Sequence, residues 1–313
     1  VDIPPWTVVK ILLNKLPGVD LEQSWPASWD TVIWQLRLPR VLLAGLVGAT
    51  LAVSGATYQG LFRNPLAEPY LLGVAAGAAL GATALAVNQV PVYFNGFSIL
   101  PIVAFAGALA AVATAYLVAR QMGTLPLTNL ILAGVAVASL AGAVTSFLII
   151  RSTPDVKPLL SWLLGGFAAS EWKLLLIVLP YILPSFLVMM AYGRILNLFQ
   201  LQEEEAKHLG VNIERAKLVL IVAASLATAA AVSVSGIIGF VGLIAPHAVR
   251  LLWGPDHRFL LPMSMLVGAG FLVIADLVAR TALTPTELPV GVVTAFCGAP
   301  FFLYLLRRSM RVS

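Results

Sequence analysis

"LPRVLLAGLVGATLAVSGATYQGL", residues 38–61, carries one charge, Arg40, near its start and no acid at all. Wound as an α-helix, 24 residues rise about 36 Å, enough to cross a hydrocarbon core of about 30 Å. A porin strand of this length would alternate polar and apolar residues, and this stretch does not. Eight further apolar runs follow: 71–88, 99–119, 129–150, 172–192, 217–235, 237–253, 260–280 and 289–306. The weakest is 237–253, which contains His247 and Arg250. The expected fold is all-α, a polytopic transmembrane helical bundle with about nine membrane helices forming one domain over residues 1–313.

Composition points the same way. The chain has 313 residues, 60% hydrophobic and only 11% charged, with a mean hydropathy of +0.95. Soluble domains average about 25% charged residues, so lipid must be the solvent. A net charge of +5 would suit nucleic acid, but no basic stripe with interleaved aromatics appears, and nucleic-acid binding is set aside. The lone cysteine, Cys297, has no thiol partner for a disulfide or a metal site and reads as a small buried hydrophobe. The first residues, "VDIPPWTVVK", form neither a signal peptide nor a span.

Small residues recur at four-residue spacing, as Gly73, Gly77 and Gly81 and as Gly134, Ala138 and Gly142. In lipid, where helices gain little by hiding apolar surface from each other, such spacing predicts close backbone approach. The bases set orientation. With nine crossings, eleven fall on one side (Arg63, Arg120, Arg194, Lys207, Arg215, Lys217, Arg250, Arg258, Arg307, Arg308 and Arg311) and eight on the other. The richer side is assigned to the cytoplasm, and residues 1–37 then form an external segment. On the cytoplasmic side lies the one strongly polar block, "QLQEEEAKHLGVNIERAK" (200–217). Its helix formers stop at Gly210, and Asn212 is placed to cap a second helix with Arg215 at its third position. Two short helices around a glycine would make a docking knob or simply a solvated turn.

Five stretches, "LRLPR" (36–40), "FRNPLAEPYLLG" (62–73), "SWLLGGF" (161–167), "GLIAPHAVRLL" (242–252) and "ADLVAR" through "ELPVGVVTAFCGAP" (275–300), together resemble the FecCD-type permeases of ABC importers. The resemblance runs from about residue 25 to the C-terminus. It implies a membrane permease subunit of a binding-protein-dependent importer of a ferric siderophore, haem or cobalamin-type chelate, in the bacterial cytoplasmic (inner) membrane. Implied partners are a second permease subunit, as a homodimer or pseudo-dimer, two cytoplasmic ABC ATPases and an extracytoplasmic substrate-binding protein. Such subunits usually have ten helices, so the resemblance also implies a first helix upstream of Val1. It implies no metal site and no cofactor in this chain, with ATP and Mg held by the partner ATPase. In agreement, the sequence has no GxxxxGK[ST] phosphate loop.

The same resemblance assigns site residues. Residues 193–216 match the coupling loop, with Glu205, Ala206, Leu209 and Gly210 seated in the ATPase. Arg37, Arg40 and Arg280 match the basic residues that meet carboxylates on the binding protein, a task suited to the planar guanidinium fork. Snorkelling to headgroups is the alternative for these arginines, and Asp276, four residues before Arg280, is placed to pair with it along the helix. Asn64 and Leu66, beside the helix-breaking Pro65 and Pro69, match the cytoplasmic gate with Leu127 and Thr128; Thr128 also suits a helix cap. Within "PDVKPLLSWLLGGF", Trp162, Gly165 and Gly166 match a short external helix beside the cavity, the two glycines reading as a flexible break, and Trp162 equally suits the interfacial aromatic belt. His208, His247 and His257 are too dispersed for a motif such as HExxH, and His247 reads as structural.

Two other classes compete. An ion-coupled secondary transporter would need acids near mid-depth, and most runs have none. An intramembrane enzyme would need a nucleophile with its base, and "VSVSGIIGF" offers serines without a histidine at helical spacing.

Overall fold

The computed structural model describes residues 3–15, 17–19, 21–88, 93–94, 97–120, 125–151, 157–200, 212–283 and 285–309. The elements are α1 (Pro5–Leu13), α2 (Ala27–Thr31), α3 (Leu38–Phe62), α4 (Val74–Val87), α5 (Leu100–Ala119), α6 (Leu127–Arg151), α7 (Lys157–Leu163), α8 (Trp172–Ala191), α9 (Gly193–Leu198), α10 (Ile213–Ser235), α11 (Val241–Trp253), α12 (His257–Thr281) and α13 (Val290–Ser309). A π-helical turn, Val32–Arg37, joins α2 to α3, so one helical rod of 36 residues runs from Ala27 to Phe62. Strands Tyr93–Phe94 and Phe97–Ser98 pair antiparallel and are the strands among the described residues.

Six helices among the described residues are long and apolar enough to cross a membrane, so the protein is an all-α polytopic membrane bundle. The other three expected runs give shorter apolar helices, Val74–Val87, Val241–Trp253 and Val290–Leu303 within α13. Local backbone explains the first two. Helix α3 ends where Arg63 turns left-handed (φ 50°), just before Pro65, and α4 starts only after Gly73 (φ 85°). Between α10 and α11, Gly236 (φ 68°) and Phe240 (φ 69°) break the helix.

The two breaks meet inside the bundle. Tyr70 donates its hydroxyl to the Ile238 carbonyl at 2.7 Å and accepts from the Ile238 N–H at 3.2 Å. Pro69 lies over Gly242, where a side chain would strike the proline ring at about 2.5 Å. Non-helical backbone at membrane depth survives only when protein satisfies it, and here each break supplies the other's partners.

Helices α3 and α10 are the centre: 78% of the spanning window of each is buried, against 22% for α6. Alanines let α10 approach closely, and polar pairs join it to α3. Tyr58 Oη lies 2.6 Å from Ser225 Oγ, and Ser54 Oγ reaches the Ala224 carbonyl at 3.4 Å. The expected close approaches occur at Gly77 and Gly81, against the backbone of Gly107 and Val103 on α5, and at Gly134, against Leu71; Gly142 faces open space. Gly48 and Gly268 bring α3 and α12 together in the same way. Around the rod's first turns, Ile11, Trp25 and Ile33 form a separate small core.

Cys297 departs from expectation: it is exposed, not buried. Near its start α13 buries Val290, Val293 and Thr294, while Cys297 and the 77%-exposed Phe296 lie open.

Candidate functional site

One end of the bundle carries a four-charge cluster. Arg40, in the first turn of α3, donates through Nε and Nη2 to both oxygens of Asp276 at 2.8–3.1 Å. Its Nη1 and Nη2 also donate to Glu287 Oε1 and Oε2 at 3.1 and 2.9 Å. Arg280 Nε lies 3.2 Å from Asp276 Oδ2, an ion pair without hydrogen-bond geometry. The helical pairing of Asp276 with Arg280 is therefore present, but Arg40, from another helix, makes the stronger contact. The Asp276 side chain is 2% exposed, Arg40 12% and Glu287 45%. Arg37 is half-buried on the π-helical turn one helical turn earlier.

Beside this cluster is a cavity of about 340 Å³ whose lining includes Arg40, Glu287, Trp162, Gly165, Gly166 and Val234. The three residues singled out in "SWLLGGF" thus share one wall. The glycine pair is a pinned crossing, not a flexible break. Gly165 adopts φ 73°, and its carbonyl accepts from Val290 N–H at 2.9 Å. Gly166 N–H donates to the Ser235 carbonyl at 2.8 Å. Two hydrogen bonds therefore tie the end of α7 to the end of α10 and the start of α13.

At the opposite end, α10 begins as expected: Asn212 Oδ1 accepts from Arg215 N–H at 3.0 Å. Glu214 makes two contacts, accepting from Leu125 N–H at 2.9 Å and from Lys217 Nζ at 3.0 Å. The first joins the polar block to the segment that leads into α6. Leu127 is half-buried and Thr128 exposed; because α6 starts at Leu127, Thr128 lies inside the first turn and is not its cap. Asn64 and Leu66 sit in the exposed turn after α3, with Asn64 Oδ1 accepting from Leu66 N–H at 2.9 Å. No described hydrogen bond joins that turn to Leu127 or Thr128. Glu205, Ala206, Leu209, Gly210 and His208 fall in 201–211, outside the described residues.

A polar network closes this end. Asp256, the N-cap of α12, accepts from Arg258 N–H and Asn197 Nδ2, and these bonds, the backbone one foremost, hold its carboxyl below the usual range. Asn197 Oδ1 also accepts from His257 N–H, and Arg250 Nη2 donates to Gln59 Oε1 at 2.9 Å. His247 stacks edge-on against Phe301 and Phe302, and no group of histidines, cysteines and acids able to hold a metal occurs among the described residues.

Sequence reasoning did not single out Glu287 or Glu214. Glu287 lies 247 residues from Arg40 and Glu214 lies 89 from Leu125, and nothing local announces either pairing.

A polytopic helical bundle with a charged cavity mouth at one end and a capped polar block at the other is the form of a membrane permease. The chain matches the FecCD transport family over residues 1–308 and belongs to it; it is a permease subunit of an ABC importer in the cytoplasmic membrane. It is 48% identical over 303 residues to the cobalamin import system permease protein BtuC of Halobacterium salinarum, covering 97% of this chain and 79% of that one. Against the hemin transport system permease protein HmuU of Yersinia pestis it is 42% identical, covering 91% and 86%. The fold matches an inward-facing structure of a metal-chelate type ABC transporter with a TM-score of 0.82 and 37% identity, covering 97% of this chain and 96% of that one.

Proposed function

We propose that this subunit imports a metal chelate of the cobalamin, haem or ferric-siderophore class through a cavity shared with a second permease subunit, most simply as a homodimer. Two ATPases dock on the Asn212 end and a binding protein on the Arg40 end. ATP and Mg stay on the ATPases, and any metal crosses inside the cargo. Nine crossings fit this reading, the three shorter helices included. Residues 193–216 serve as the coupling loop, with Glu205, Ala206, Leu209 and Gly210 meeting the ATPase. Asn64, Leu66, Leu127 and Thr128 form the inner gate, and Trp162, Gly165 and Gly166 face the cargo.

The observation that carries the ATP-driven reading is the Leu125–Glu214 hydrogen bond. It connects the helix that leaves the coupling loop to the segment that enters α6, so a push on the loop reaches the gate through one side-chain-to-backbone contact. The rival reading, ion-coupled transport, needs an available buried acid. Among the described residues Asp276 is the acid in the fully buried core, and Arg40 and Arg280 occupy it; Glu68, half-buried in the break after α3, is the acid that reading would have to use.

The test is reconstitution in proteoliposomes with the ATPase and binding protein. The permease alone should hydrolyse no ATP. Gly210→Arg should abolish ATP-driven uptake while leaving the permease folded, because a long charged side chain cannot enter a fitted pocket; normal uptake would refute the coupling assignment. Screening the binding protein against cobalamin, haem and ferric siderophores identifies the cargo.

A further inference from the structure

Arg40 already grips a carboxylate of its own chain with the geometry an incoming one would need. Two guanidinium nitrogens meet the two Glu287 oxygens at 3.1 and 2.9 Å, the two-pronged arrangement that gives arginine its preference for carboxylates. The remaining edge holds Asp276. The two acids differ in one respect that decides their roles. Asp276 is 2% exposed, so releasing it would strand a buried charge. Glu287 is 45% exposed, so water and salt compete for it at all times. One guanidinium therefore has a fixed edge and an exchangeable edge.

The exchangeable edge is also a wall. Arg40 and Glu287 both line the cavity, and Val234, 9% exposed, is part of the same lining. Glu287 sits just before Leu288 and Val290, whose N–H groups are bonded to the Ala279 and Gly165 carbonyls. Those bonds hold the segment that follows Glu287 to α12 and to Gly165, while Glu287 itself meets α3 through Arg40.

We propose that Glu287 stands in, within the undocked permease, for an acidic side chain of the docked binding protein, and that exchange of one carboxylate for the other on Arg40 opens the cavity. This rests on the docking reading of Arg37 and Arg40. Asp276 keeps the guanidinium aimed throughout, so the incoming carboxylate finds a preformed fork and only Glu287 has to leave.

The experiment places a thiol in the cavity, Val234→Cys in a Cys297→Ala background, within the reconstituted permease–ATPase complex. An impermeant maleimide then reports access. An exposed pair worth up to about 1 kcal/mol corresponds to about a five-fold change in the open population. Glu287→Gln should therefore raise the labelling rate about five-fold. Salt should raise it in the parent and not in Glu287→Gln, and the binding protein should do the same. Equal labelling in parent and Glu287→Gln at all salt concentrations overturns the latch. Opening by Glu287→Gln but not by the binding protein overturns the exchange. Docking itself is read separately, as the affinity of the binding protein for Arg37→Glu, which leaves the Arg40–Glu287 pair in place. Unchanged affinity there sinks docking, and with it the exchange, but not the latch.

Discussion

Gly236→Ala should lower the unfolding midpoint of the purified permease by several degrees or prevent its accumulation, whereas Gly166→Ala, close by in the same crossing, should change little. Gly236 has φ 68° and ψ −162°, a region that only glycine occupies freely and that costs other residues of order 1–3 kcal/mol. A methyl there would also run into the Trp162 carbonyl oxygen and lie 3.1 Å from Gly165 Cα. Overpacking against backbone that cannot swing aside adds about 1–3 kcal/mol. Gly166 has no positive φ, and a methyl on it meets nothing within 4 Å, so its change should stay within about 0.5 kcal/mol. Thermal unfolding in detergent, followed by tryptophan fluorescence, compares the two. Similar midpoints would mean that the crossing of α7, α10 and α13 is looser than the hydrogen bonds at Gly165 and Gly166 require.

The second large effect belongs to Arg40. Arg40→Met removes the main partner of a carboxylate with 2% side-chain exposure, leaving Arg280, whose Nε approaches at 3.2 Å without hydrogen-bond geometry. Stranding a buried charge costs about 3–5 kcal/mol. Glu287→Gln, at the exposed edge of the same arginine, should cost no more than about 1 kcal/mol. The double variant Arg40→Met/Asp276→Leu should recover much of the loss, because it removes both buried charges and replaces them with apolar volume. Its freed Arg280, 25% exposed, can reach solvent. Chemical unfolding of the parent, Arg40→Met, Asp276→Leu and the double variant closes the cycle, and additive losses would show that Arg40 and Asp276 are not coupled.

How far each site was legible depended on how local its chemistry is. Six spans were readable because lipid demands an unbroken apolar run, while three further runs form shorter helices; the cap at Asn212 was readable because a cap needs only neighbours three residues apart. Arg280 and Asp276 were readable as a pair for the same reason. Arg40 was readable as important, through the family resemblance, but not as a bonded residue, because its partners lie 236 and 247 positions away. The resemblance reads the Gly165–Gly166 pair as a flexible break. Backbone partners from two other helices turn that freedom into a tight crossing.

By itself, then, the chain's chemistry determined a lipid-embedded helical bundle and where its polar segments fall, because the solvent each segment needs is written in its own side chains; the family and the permease role came from the resemblance of its motifs. Tertiary structure decided which charges neutralise one another, where two broken segments satisfy each other's backbone, and which glycines are tolerated only as glycine. Those outcomes depend on distances between helices far apart in sequence, and no local pattern encodes such distances.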